Sequence, residues 1–129
     1  MPDYTIKRID ALDAIFGGSF RRARGELGVT SFGMQIMDLP PKLENYPEHD
    51  HAGGQEEVYL VLSGEADITV DGEELHLDPN SIIRVGPEVK RKITTGSEGA
   101  RILALGGTPG EAFEPADFTE VGGPDPTAG

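Results

Sequence analysis

Cysteine is absent from this 129-residue chain, so no disulfide framework, thiolate metal ligand or thiol nucleophile is available. Basic residues are scarce: 11 Lys and Arg face 23 Asp and Glu, a formal net charge of −12. That field repels phosphate backbones and anionic bilayers, which argues against nucleic acid and membrane as partners and favours solubility. No apolar run approaches the ~18 residues of a membrane span. The opening MPDYTIKRID lacks the apolar stretch of a signal peptide, so a cytoplasmic protein is expected. Hydrophobic residues are only 36% of the chain, yet they fall in runs, enough for one core in one domain.

Glycine and proline, at 18 and 10, are what the chain has in quantity, and they imply many turns and few long helices. Asp10 to Phe16 reads as one short N-terminal helix, with Asp10 as N-cap and Gly17 as stop. The rest reads as strands. Phe32, Met34 and Ile36 alternate with Gly33, Gln35 and Met37 up to Pro40-Pro41. Glu57 to Leu62 is apolar on both faces, which asks for a barrel interior on one side and a second sheet or subunit on the other. Ala66–Val70 and Glu73–Leu77 flank Asp71-Gly72, a hairpin signal. Pro79-Asn80 is a turn in which Asn80 supplies positive φ. Ser81–Val85, Val89–Thr95 and Ala100–Leu105 complete an all-β barrel or jelly roll, its core about 31–106 within a domain of 1–106. Residues 107–129 form a Gly/Pro-rich arm anchored by Phe113 and Phe118, with the closing GGPDPTAG loose. Arg21, Arg22 and Arg24, with Lys7 and Arg8, read as a solvated basic patch.

The chemistry concentrates in Tyr46 to Leu75. Strand alternation turns His49 and His51 to one face and Asp50 to the other. With Glu57 on a neighbouring strand they compose a 2-His-1-carboxylate set, able to hold a divalent Fe, Mn, Ni or Zn with positions left open. Tyr59 shares the parity of Glu57 and so lines the same pocket. Val89, Arg91, Ile93 and Thr95 share a face that should point inward, while Lys90 and Lys92 face water. His76, between Leu75 and Leu77, reads as a solvent-side histidine. The loop AGGQ is followed by no helix and is no phosphate-binding loop.

His49-x-His51, Glu57, then six residues to Gly64 resembles the first motif of the cupin superfamily, with the loop before Glu57 one residue longer than usual. LDPNSIIRVGPEVKRKI, Leu77 to Ile93, is similar to the second motif. The resemblance covers about Phe32 to Leu105 and implies a double-stranded β-helix, and with the doubly apolar strand it suggests a homodimer. It departs from the family at Arg91, which stands where the last metal-binding histidine is usual. An inward guanidinium must be paired, and Glu57 is the nearest acid. Two main functions stay open, beside a metal-free isomerase with a histidine as general base. One is a pocket formed by His49, His51, Glu57, Tyr59 and Arg91 that holds a small, anionic molecule with weak or no metal binding. The other is a metal-dependent isomerase, epimerase or dioxygenase with His49, His51 and Glu57 as ligands.

Overall fold

The computed structural model describes residues 2–46 and 54–126. Two short strands, β1 (Ala14–Ile15) and β2 (Phe20–Arg21), precede a five-residue helix, α1 (Ala23–Leu27). Five further strands follow: β3 (Gly33–Leu39), β4 (Glu56–Val70), β5 (Glu73–Leu77), β6 (Ile82–Val85) and β7 (Arg91–Gly107). All pairings are antiparallel, in the order β1-β2-β3-β7-β4-β5, with β6 also on β4. The result is a jelly-roll barrel. Among the described residues no helix is long and apolar enough to cross a membrane.

β4 and β7 organise the barrel, because each continues from one half into the other. The first half of β4 lies between β6 and the end of β7, and its second half between β5 and the start of β7. Register shifts between Val61 and Ser63 and between Gly64 and Ala66 make the bend. Gly64 (φ 74°) and Gly99 (φ 69°) face each other there, and a Cβ on Gly64 would strike the Gly99 carbonyl. Only glycine meets both demands at this position. Where separate strands read from the sequence on either side of these glycines, the backbone runs through.

The alternation in β4 sorts the side chains. Glu57, Tyr59 and Val61 are buried, whereas Val58 and Leu60 are half-buried and Leu62 is exposed. In β7, Arg91 and Ile93 are buried while Lys92 is partly exposed. Ile68, Ile93, Ile102 and Ala104, each fully buried, sit at the centre of the core. The hairpin between β4 and β5 turns on Asp71 and Gly72, both at positive φ (49° and 85°), as an inward-twisting two-residue loop requires.

Three expectations are corrected. Asp10 to Phe16 is no helix: a 3-10 turn at Ile9–Ala11 leads into β1, which pairs with β2 (Ala14 with Arg21, Ile15 with Phe20), and a second 3-10 turn, Phe16–Gly18, follows. Sheet pairing overrides the local pattern, and the short helix forms further along, in Ala23–Leu27, capped by Gly28 at φ 80°. Asn80 does not take positive φ, because the Asp78 carboxylate holds the turn instead, accepting from the Asn80 N–H at 2.9 Å.

The basic patch is the third. Arg22 and Arg24 are buried, 3% and 7% exposed. Arg22 donates to Asp13 Oδ2 (2.7 Å) and to the carbonyls of Phe118 (2.7 Å), Gly123 (3.0 Å) and Pro124 (3.3 Å). Arg24 lies 2.9 Å from Glu120 and over the Phe113 ring. These arginines clamp the C-terminal arm, so it is tied down as far as Pro124, where the sequence suggested a loose end.

Candidate functional site

Glu57 enters the interior from β4, where it pairs in register with Val85 and Gly106. Arg91 enters from the start of β7, opposite Val70. The two halves of the barrel bring them together: Arg91 Nη1 donates to Glu57 Oε1 at 2.8 Å, and Nη2 donates to the Gly86 carbonyl at 2.6 Å. Arg91 is wholly buried and Glu57 is 5% exposed. Tyr59, two residues on and on the same face, donates its hydroxyl to the same Oε1 at 2.5 Å. Arg91 Nε has no hydrogen-bond partner among the described residues. Charge-assisted bonds in so dry a place hold the carboxylate firmly.

Both tyrosines near Glu57 keep their protons. Tyr46 is pushed up to about 12, by burial first and then by the Glu57 charge. Tyr59 is raised still further, by burial, the charge of Glu57, Tyr46 and its bond to that carboxylate.

A cavity of about 900 Å³, within the usual size of a small-molecule site, is lined by Glu57 and Tyr59 together with Tyr46 and Met37. Another part of its lining comes from outside the barrel motifs: Phe16 just after β1, Phe20 on β2, and Phe118 from the arm. Arg91 does not line it. Sequence reading missed Tyr46, Phe16 and Phe20; the nearest signals were the Gly17-Gly18 pair between the two phenylalanines and the position of Tyr46 just ahead of the histidines.

Glu57, Tyr59 and Arg91 are thus brought together. His49 and His51 lie outside the described residues. His76 is a solvent-side residue, its side chain 55% exposed and paired with Asp67 at 2.9 Å and Glu65 at 3.5 Å. Its pKa is raised, chiefly by the hydrogen bond to Asp67.

Members of this fold often hold a metal, and of the three candidate ligands only Glu57 is among the described residues. Among the described residues no group of three or more His, Cys, Asp or Glu is placed to ligate a metal ion. Glu57 Oε1 is already shared by a guanidinium and a phenol. A divalent ion on this carboxylate would stand near the guanidinium. Charges ~4 Å apart at an effective dielectric near 20 repel by about 4 kcal/mol per unit charge.

Residues 35–106, more than half of the chain, match the Cupin domain family, and the chain belongs to it. A cupin protein from Bacteroides fragilis shares 28% identity over 92% of this chain and 95% of its own, with a TM-score of 0.68. A sugar phosphate isomerase of the cupin superfamily from Silicibacter pomeroyi superposes with a TM-score of 0.66 over 88% of this chain and 83% of its own. At 16% identity, that second likeness concerns the fold alone. No curated protein sequence matches the chain.

Proposed function

We propose that this cupin domain holds a small molecule in its 900 Å³ cavity, with Arg91 as a built-in cation that substitutes for a metal ion. The observation that carries the reading is the wholly buried guanidinium 2.8 Å from Glu57 Oε1. A fixed positive charge there balances the carboxylate that would otherwise attract a divalent ion, and leaves metal affinity weak or nil. Glu57 and Tyr59 then present a neutralised, hydrogen-bonded wall to the ligand.

The test is calorimetric titration of Mn, Fe, Ni and Zn into wild type and Arg91→His. The wild type is expected to take up no stoichiometric metal and Arg91→His to gain it. Near-stoichiometric metal in the wild type, lost in His49→Ala, would overturn the proposal in favour of a metal-dependent isomerase, epimerase or dioxygenase on His49, His51 and Glu57.

The partner that suits the outside of the barrel is a second copy of the chain. Val58, Leu60 and Leu62 alternate outward, and register sets Leu105 beside Val58, and Leu103 and Ile82 beside Leu60. Ile82 is 69% exposed. The charges on this face, Arg84 and Glu56, already neutralise each other at 2.5 Å, so two copies could meet here despite the acidic surface elsewhere.

A further inference from the structure

Every ionised side chain that the described residues contribute to the cavity is already matched. Arg21 donates through Nε to Asp38 (2.6 Å) and through Nη1 toward the carbonyls of Ile9, Asp10 and Leu12. The other Asp38 oxygen accepts from Arg101 at 2.7 Å. Glu57 is held by Tyr59 and Arg91. An inward Arg91 raises the expectation of an anionic ligand, but Arg91 is wholly buried and is not among the described residues that line the cavity. A ligand carboxylate or phosphate would enter against a net charge of −12 and find two carboxylates and no open cation among the described residues.

What the cavity does offer is ring surface. Phe16, Phe20 and Phe118 come from three separate places in the chain and meet with centroids 5.5–5.8 Å apart, inclined at 61° to 88°. All three are only half-buried and all three line the cavity, unlike rings packed in a core. Phe16 is also held at φ 54°, a backbone conformation that bulky side chains avoid and that tends to persist where a side chain must be aimed. Tyr46 and Tyr59 add two further rings whose hydroxyls stay protonated at neutral pH.

We propose that the cavity takes an uncharged, ring-bearing molecule, with Phe16, Phe20 and Phe118 forming the surface against which its ring packs. The inference rests on the pocket reading above and names the ligand class. Aromatic contacts of this kind supply affinity without a charged anchor.

The test compares 2-naphthol with 2-naphthoate, the same ring system without and with a negative charge, by calorimetric titration at pH 7. 2-Naphthol is expected to bind about tenfold tighter than the anion, and Phe118→Leu and Phe16→Leu, which keep apolar bulk but remove a ring, to lose about tenfold for 2-naphthol. Unchanged circular dichroism and melting in the leucine variants would separate this loss from misfolding. Asn45→Trp, at an exposed residue of the lining, should block both ligands. Tighter binding of 2-naphthoate, abolished by Asn45→Trp, would overturn the ligand class and leave the pocket standing. Binding indifferent to Asn45→Trp would remove the pocket reading and this inference together. No binding of either compound to the wild type would overturn the ligand class alone.

Discussion

Arg91 and Glu57 set the charge balance inside the barrel. The Arg91 guanidinium fixes Glu57 from the far half of the barrel, an ion pair at 2.8 Å between two buried side chains. Arg91→Leu should lower stability by about 3–5 kcal/mol in urea unfolding, because it takes the guanidinium away from a buried carboxylate. Glu57→Leu combined with Arg91→Leu should recover most of that loss, since apolar groups of similar volume tolerate the same site. A loss in the double variant equal to the sum of the two single losses would show that the pair is not coupled. A lysine in place of Arg91 is no substitute, because one ammonium cannot reproduce the fork that spans Glu57 and the Gly86 carbonyl.

Among elements, β1 and β2 depend on electrostatics that the strands themselves do not contain. Asp38 on β3 joins Arg21 on β2 to Arg101 on β7, and Arg101 also reaches Asp10 at 2.8 Å. Burial pushes the Asp38 carboxyl up, but the hydrogen bonds from Arg101 and Arg21 outweigh it and hold the pKa below 3.8. A carboxylate depressed in the folded state stabilises above its unfolded pKa, and that contribution is lost as the pH falls through the folded value. Amide exchange in residues 14–21, taken relative to the intrinsic rate at each pH, should thus accelerate only below about pH 3.8. In Asp38→Asn it should already be fast at pH 7, with about 1–2 kcal/mol of stability lost after allowance for partial exposure. An identical pH profile in both proteins would refute the role given to Asp38. The barrel strands were legible in the sequence because alternation and Asp71-Gly72 are local signals. So was the inward parity of Glu57, Tyr59 and Arg91. The N-terminal region was not, because what decides β1 is pairing with Phe20 and Arg21. The burial of Arg22 depends on carbonyls as far away as Gly123 and Pro124, which no local pattern reveals. The aromatic part of the cavity was hidden for the same reason: Phe118 could be read as an anchor, but not as a neighbour of Phe16.

For the whole molecule, the acidic surface and the apolar outer face of β4 set opposite tendencies. Light scattering at micromolar concentration should give about twice the 13.8 kDa chain mass, and Leu60→Lys should shift it toward one chain. A monomer in the wild type would assign that face another role. The arm has a consequence for the order in which the protein is made. Arg22 closes on carbonyls 101 and 102 residues downstream. While a ribosome is still extending the chain through β7, the barrel strands can pair, but Arg22 lacks the carbonyls of Phe118, Gly123 and Pro124, Arg24 lacks Glu120, and the ring cluster lacks Phe118. The cavity thereby stays incomplete until translation has passed the arm.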